Sequence, residues 1–67
     1  MIRMKSLRLQ QKISQLEVSR RAAIAPGTIS QAESGRFVPY DSQLIKIASA
    51  LGYTGEPTTL LEEVGQL

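Results

Sequence analysis

The chain has 67 residues, with eight Lys/Arg against six Asp/Glu for a formal net charge of +2. That length allows one domain around a small core. It contains no cysteine and no histidine, which excludes disulfides and thiolate metal sites and removes the commonest general base and metal ligand.

No apolar run approaches the roughly 20 residues of a membrane span. The basic start MIRMKSLRLQQK lacks the apolar stretch of a signal peptide. The expectation is a soluble cytoplasmic protein with no cofactor and no metal. Phe37, Tyr40 and Tyr53 are the only aromatics, so the core must be aliphatic, which favours packed helices over a sheet. Charge is unevenly spread. Through Lys46 all eight cations face only Glu17, Glu33 and Asp41, a balance of +5, while Glu56, Glu62 and Glu63 after it give −3. The asymmetry points to a basic face for an anionic partner and an acidic tail held away from it.

In chain order, a first helix is predicted from Ile2 to Gln11, where Met4, Leu7 and Gln11 recur at helical spacing. Ser14 caps a second helix, and Ser14 with Glu17 fits a capping box. Val18 and Ala22 face inward and Ile24 fills the following turn. Pro26 suits the first turn of a third helix, where its missing N–H costs nothing, and Gly35 suits the residue just past its end. Ile29 and Ala32 give that helix an inward face. Its outward positions, Thr28, Ser30, Gln31 and Ser34, are small and polar. A helix apolar on one side, with short hydrogen-bonding side chains on the other, can sit in a DNA major groove. The loop RFVP follows, with Pro39 blocking continuation. Asp41 is placed to cap a fourth helix carrying Leu44, Ile47, Ala48 and Leu51, which Gly52 ends. After the linker TGEP, Thr59 and Glu62 form a second capping box ahead of Leu60, Leu61 and Val64. This fifth helix is too short to stand alone and must dock or fray. No strand-period alternation of useful length appears. The fold class expected is all-α, a compact five-helix domain.

The set Arg8, Ser14-Gln15, Val18-Ser19, Ile24, Thr28-Ile29-Ser30, Glu33-x-Gly35, Pro39 and Leu44 through Leu51-Gly52 resembles the lambda-repressor-like DNA-binding domains, the Cro/CI or xenobiotic-response-element family. The resemblance covers roughly Met4 to Tyr53. It implies a five-helix fold with a central helix-turn-helix and sequence-specific binding to double-stranded DNA, commonly as a symmetric dimer. Residues 1–55 would form the DNA-binding domain and 56–67 a short C-terminal helix or tail available for dimerisation.

Individual positions carry over from that resemblance. Arg8 would pair with Glu33. The physics agrees, because a carboxylate on the inward side of the third helix needs a charge partner, and a guanidinium can meet it through two parallel bonds. Gln15, after the second helix's cap, would touch a phosphate. Ser34 and Arg36 are candidates for a second phosphate contact. The base-facing positions are Pro26, Gly27, Ser30 and Gln31, with Thr28 near the backbone.

Gln31 is the best direct reader, since an amide can bond adenine N6 and N7 together. Pro26 and Gly27 offer no side-chain hydrogen bonds where family members often carry glutamine or serine. Gly27 can instead let the helix end approach closely. With so few long readers, indirect readout of DNA shape is expected to contribute.

Other positions depart from the family. Many members have glycine where Lys12 and Ala23 stand, and a left-handed backbone there costs another residue roughly 1 kcal/mol. Leu9 and Leu16 replace usual polar residues and, with the loop residue Phe37, could make an apolar patch for a protein partner. Of Arg20 and Arg21, at least one is read as a solvated charge.

Three functions compete. The first is a small transcriptional regulator, a repressor acting as a homodimer on a palindromic operator. The second is an interaction module on the same fold, such as an antitoxin or adaptor needing a partner protein; the apolar tail LLEEV and the thin set of base readers motivate it. An enzyme is not expected, because the only close acid pair, Glu62-Glu63, diverges by about 100° on a helix.

Overall fold

The computed structural model describes residues 1–65. It consists of four α-helices, α1 Arg3–Gln10, α2 Gln15–Ala22, α3 Pro26–Glu33 and α4 Asp41–Leu51, and a closing 3-10 turn, Pro57–Leu61. The only extended pairing among the described residues is an isolated antiparallel bridge between Ile2 and Glu63.

The ends of the helices follow from local chemistry. Ser14 Oγ accepts the Glu17 N–H at 3.0 Å to start α2. The reciprocal half of the expected capping box is absent, because the Glu17 carboxylate is taken by Arg20 and Arg21. α2 ends where Ala23 enters the left-handed region at φ 56°, letting the Ile24 N–H reach back to the Ser19 carbonyl at 3.1 Å. The Ser19 hydroxyl, buried, donates to the Ile24 carbonyl and ties the turn from inside. α3 starts with Pro26 at its first position. It stops at Ser34, where Gly35 at φ 80° allows the Arg36 N–H to bond the Gln31 carbonyl at 2.9 Å. Tyr40, not Asp41, is the N-cap of α4. Asp41 occupies the first helical position, where its charge still faces the positive end of the helix. The Tyr40 N–H is satisfied by Gln43 Oε1 at 2.9 Å.

α4 is the hub. It packs against α2, α1 and the 3-10 turn, while α3 leans on α2. The core between them is aliphatic, as the aromatic shortage predicts: Met4, Val18, Ile29, Leu44, Ile47 and Leu60 are all but completely buried.

The fifth helix is not formed as expected. Residues Pro57–Leu61 make a single 3-10 turn. Pro57 donates no hydrogen bond, and the branched Thr58 and Thr59 favour a helix less than straight-chain residues do. The Thr59–Glu62 capping box therefore does not exist. Thr59 lies inside the turn, with its hydroxyl on the Glu56 carbonyl at 2.6 Å. Glu62 is extended and meets Arg3 at 3.3 Å. The segment docks rather than frays. Leu60 is 0% exposed, and the Arg3 N–H bonds the Glu62 carbonyl at 2.8 Å. Residues 57–61 thus share one core with the helices before them.

Lys12 and Ala23 both adopt the left-handed backbone, at φ 59° and 56°, so the chain keeps turns that favour glycine without having glycine there. Ala23→Gly and Lys12→Gly should each stabilise the fold by roughly 1 kcal/mol, read as a rise in the midpoint of urea unfolding with an unchanged slope. A fall in the midpoint for either would contradict the assigned backbone.

Candidate nucleic-acid interface

α2 and α3, joined by the turn at residues 23–25, form the helix-turn-helix. What fixes their arrangement is a buried ion pair. Arg8 Nε donates to Glu33 Oε2 at 2.8 Å and Arg8 Nη2 to Glu33 Oε1 at 3.1 Å. The side chains are 11% and 3% exposed. The third guanidinium nitrogen is engaged as well, Arg8 Nη1 donating to the Ile13 carbonyl at 2.9 Å. The pair expected between α1 and α3 is therefore present as a two-bond contact. Sequence reasoning missed its third member, Gln15, whose Nε2 donates to Glu33 Oε1 at 3.0 Å. The available signal was the Ser14 cap, which places Gln15 at the first helical position, beside the inward carboxylate.

With Ile29, Ala32 and Glu33 buried, α3 turns its other side outward. Pro26, Gly27, Ser30 and Gln31 are exposed and Thr28 is half-buried. The Ser30 and Gln31 side chains enter no hydrogen bond among the described residues; the Gln31 backbone carbonyl accepts from the Ser34 hydroxyl and the Arg36 N–H. The exposed face therefore offers hydroxyl and amide groups that the protein itself does not consume.

The proposed phosphate contacts are differently placed. Gln15 is half-buried at the rim, with one amide hydrogen on Glu33 and a second left for an outside acceptor. The Ser34 hydroxyl donates to the Gln31 carbonyl at 3.0 Å, so its proton is already engaged. Arg36 is exposed, just beyond the glycine turn.

The cations divide into two groups. Arg3, Arg8, Arg20 and Arg21 are ion-paired within the domain. Lys5, Lys12, Arg36 and Lys46 have no carboxylate within 4.0 Å among the described residues. Arg20 and Arg21 converge on Glu17 at 2.5 and 2.7 Å, and Arg21 also reaches the Ala50 carbonyl at 3.4 Å.

The expected apolar patch of Leu9, Leu16 and Phe37 is only partly open: Leu16 is exposed, while Leu9 and Phe37 are half-buried. The exposed large apolar side chains are Leu16, Val38, Tyr40 and Ile45, with Phe37 and Tyr40 in an edge-to-face contact at 6.2 Å. No helix among the described residues is long and apolar enough to cross a membrane. No group of three His, Cys, Asp or Glu placed to hold a metal ion occurs among them.

An outward polar helix, held by a turn and a buried ion pair on a small aliphatic core, defines a class, the helix-turn-helix DNA-binding domains. A family model described as Helix-turn-helix, HTH_3, matches residues 4–57, and the chain belongs to this family of Cro/CI-type proteins. The membership supports DNA binding of the transcription-regulator type. No curated protein and no solved structure matched the chain.

Two predictions follow from this geometry. Glu33→Ala leaves the Arg8 charge buried and uncompensated, so it should destabilise the fold by about 3 kcal/mol; an unchanged melting temperature would refute the buried pair. The second concerns Glu17. Hydrogen bonds from Arg20 first, then from Arg21, lower its carboxyl from 4.5 to about 2. A carboxyl lowered on folding stabilises the folded state at pH above its unfolded value, and that contribution is lost as pH falls toward the folded value. The window is pH 4.5 down to about 2. An NMR titration of the Glu17 side-chain carboxyl should show a midpoint near the lower figure, shifting upward in Arg20→Ala. A midpoint at the ordinary carboxylate value in the unaltered protein would mean the cluster does not hold in solution.

Proposed function

We propose that this protein is a small transcriptional repressor that binds a palindromic operator in double-stranded DNA as a homodimer, with one α3 in the major groove of each half-site. The observation that carries this reading is the outward face of α3: Ser30 and Gln31 are exposed and free of intramolecular side-chain hydrogen bonds among the described residues, in a chain of the helix-turn-helix family. Gln31 reads a base edge, and Thr28 and Ser30 contact either phosphate or a thymine methyl. Gln15 supplies its second amide hydrogen to a phosphate, and Arg36 supplies a charge beyond the end of α3. Regulation is by occupancy of promoter DNA in the cytoplasm, without catalysis, metal or cofactor. A homodimer places the two α3 helices about one helical turn of DNA apart.

The interaction-module reading, an antitoxin or adaptor with a protein partner, has less to support it. The tail that motivated it spends Leu60 inside the domain's own core. The two readings separate on whether specific DNA binding occurs with the pure protein alone.

The test is selection from random-sequence duplexes at about 0.15 M salt, where counterion screening suppresses non-specific binding. Enrichment of a two-fold related sequence is expected, with the half-site spacing reporting the dimer geometry. Failure to enrich any sequence would sink the repressor reading. On the selected operator, Gln31→Ala should relax preference at one base position and cost about 1–3 kcal/mol of discrimination. Equal weakening across all sequences would instead make Gln31 a backbone contact.

A further inference from the structure

A cavity of about 250 Å³ opens between α1 and the chain that follows α4. Arg3, Ser6, Leu7 and Gln10 line it from α1, and Tyr53 and Val64 from the other side. The four α1 residues recur at three- and four-residue spacing and so form one stripe of the helix. That stripe runs beside the inward one, which carries Met4 and Arg8. No lining residue belongs to α2 or α3, so the cavity is separate from the face that α3 presents.

The lining holds donors that the protein leaves unused. Ser6 is 4% exposed. Its Oγ accepts from Gln10 Nε2 at 3.2 Å, and its own proton goes to no acceptor among the described residues. Arg3 Nη1 donates to the Thr59 carbonyl at 3.1 Å and to Glu62 Oε1 at 3.3 Å. Arg3 Nε and Nη2 donate to nothing among the described residues. Those two nitrogens form the side edge of the guanidinium, the same edge through which Arg8 holds Glu33. The Tyr53 hydroxyl is already paired with Thr59. Its ring, with the half-buried Leu7 and Val64, gives the cavity an apolar wall.

We propose that this cavity binds a small monocarboxylate with a short apolar tail. The carboxylate takes two parallel bonds from Arg3 Nε and Nη2 and a third from the Ser6 hydroxyl. The tail lies against Leu7, the Tyr53 ring and Val64. Two unspent donor groups select a ligand group that only accepts, and an ionised carboxylate is acceptor-only, with paired oxygens that match a guanidinium fork. Glu62 beside Arg3 disfavours a phosphate, which carries about twice the charge. At roughly 30 Å³ for each water-sized group, the volume admits about eight heavy atoms, the size of a six-carbon acid. An acid bound there joins α1, the helix that carries Arg8, to the chain after α4 without competing for α3. The proposal concerns the protein alone and does not rest on the DNA-binding reading.

The probe is hexanoate, titrated at neutral pH into isotope-labelled protein and followed by backbone amide chemical shifts. Hexylamine and 1-hexanol serve as ligands of the same length with a positive and a neutral head. Saturable shifts are expected at residues 3–10, Tyr53, Val64 and Gly65, with a Kd on the order of 1 mM, as befits so small a ligand. Hexanol should bind at least about tenfold more weakly, and hexylamine not at all. Arg3→Gln should weaken hexanoate about tenfold or more. Ser6→Ala, which costs the fold only the Gln10 contact, should weaken it about threefold to tenfold. Glu62→Gln removes the carboxylate that competes for Arg3 and should tighten binding severalfold, a gain that a merely structural role for Arg3 does not give.

Absence of saturable shifts up to about 20 mM, well above the expected Kd, overturns the proposal. Equal affinity for hexanoate and hexanol also overturns it, because the cavity would then be an apolar hole without a carboxylate site. So do shifts of equal size around the other arginines, which would mean ion pairing at any guanidinium. Should Arg3→Gln lower the melting temperature, Ser6→Ala and Glu62→Gln decide the matter: opposite changes in affinity support the site, and unchanged affinity in both refutes it.

Discussion

The guanidinium of Arg8 and the carboxylate of Glu33 hold the rest of this structure in place. Ion pairs at a protein surface contribute little, but this one is nearly out of solvent. A buried charge without a partner costs several kcal/mol, so the pair is kept by hydrogen bonds at each of the three guanidinium nitrogens and at the carboxylate. Here the matching draws in the whole front of the domain. One bond goes from Arg8 to the Ile13 carbonyl, fixing the turn between α1 and α2. Another comes from Gln15, fixing the first turn of α2. The two direct bonds fix α3. Four successive pieces of chain are thereby referred to one carboxylate, and the rotation of α3 about its axis is set. That rotation decides which side chains face outward.

A small aliphatic core alone would fix α3 less firmly. Ile29 and Ala32 are its apolar anchors, and two anchors on an eight-residue helix leave room for a helix to roll by a fraction of a turn. Dispersion and burial are not directional, whereas hydrogen bonds from a guanidinium fork are. The division of labour is then clear. Apolar contacts with α2 bring α3 to the domain, and the Glu33 network aims it. The outward side chains are consequently presented on a preorganised surface, which lowers the entropy that binding must overcome.

The charges are divided in a similar way. The arginines are largely engaged within the domain, at Glu17, Glu33 and Glu62. The basic balance visible in the sequence therefore overstates the charge available to a partner. Among the described residues, three lysines and Arg36 are left without a carboxylate partner, and on the proposed DNA-binding reading so modest a field leaves a greater share of recognition to fit and hydrogen bonding than to charge.

Much of this was legible in the sequence because it depends on neighbours along the chain. The Ser14 cap, Pro26 at the start of α3, the glycine turns at Gly35 and Gly52, and the inward period of Val18, Ala22, Ile29, Ala32, Leu44, Ile47 and Leu51 are local signals, and each marks a structural feature that is observed. Resemblance to the family added the Arg8–Glu33 pair, which joins residues 25 positions apart and which no periodicity reveals.

Where the reading and the structure part, competition for the capping groups and local backbone preference are the cause. Glu17 could cap α2, but two arginines claim its carboxylate. Thr59 and Glu62 have capping-box spacing, but the Thr59 hydroxyl meets Glu56 and Tyr53 and Glu62 meets Arg3, so a fifth helix gives way to a 3-10 turn. Sequence by itself determined the four α-helices, their order and their inward faces, because hydrogen bonds and side-chain period act over one or two turns. Tertiary structure alone decided that Gln15 completes the buried pair and that Leu60 enters the core, because each depends on which atoms come near from elsewhere in the chain.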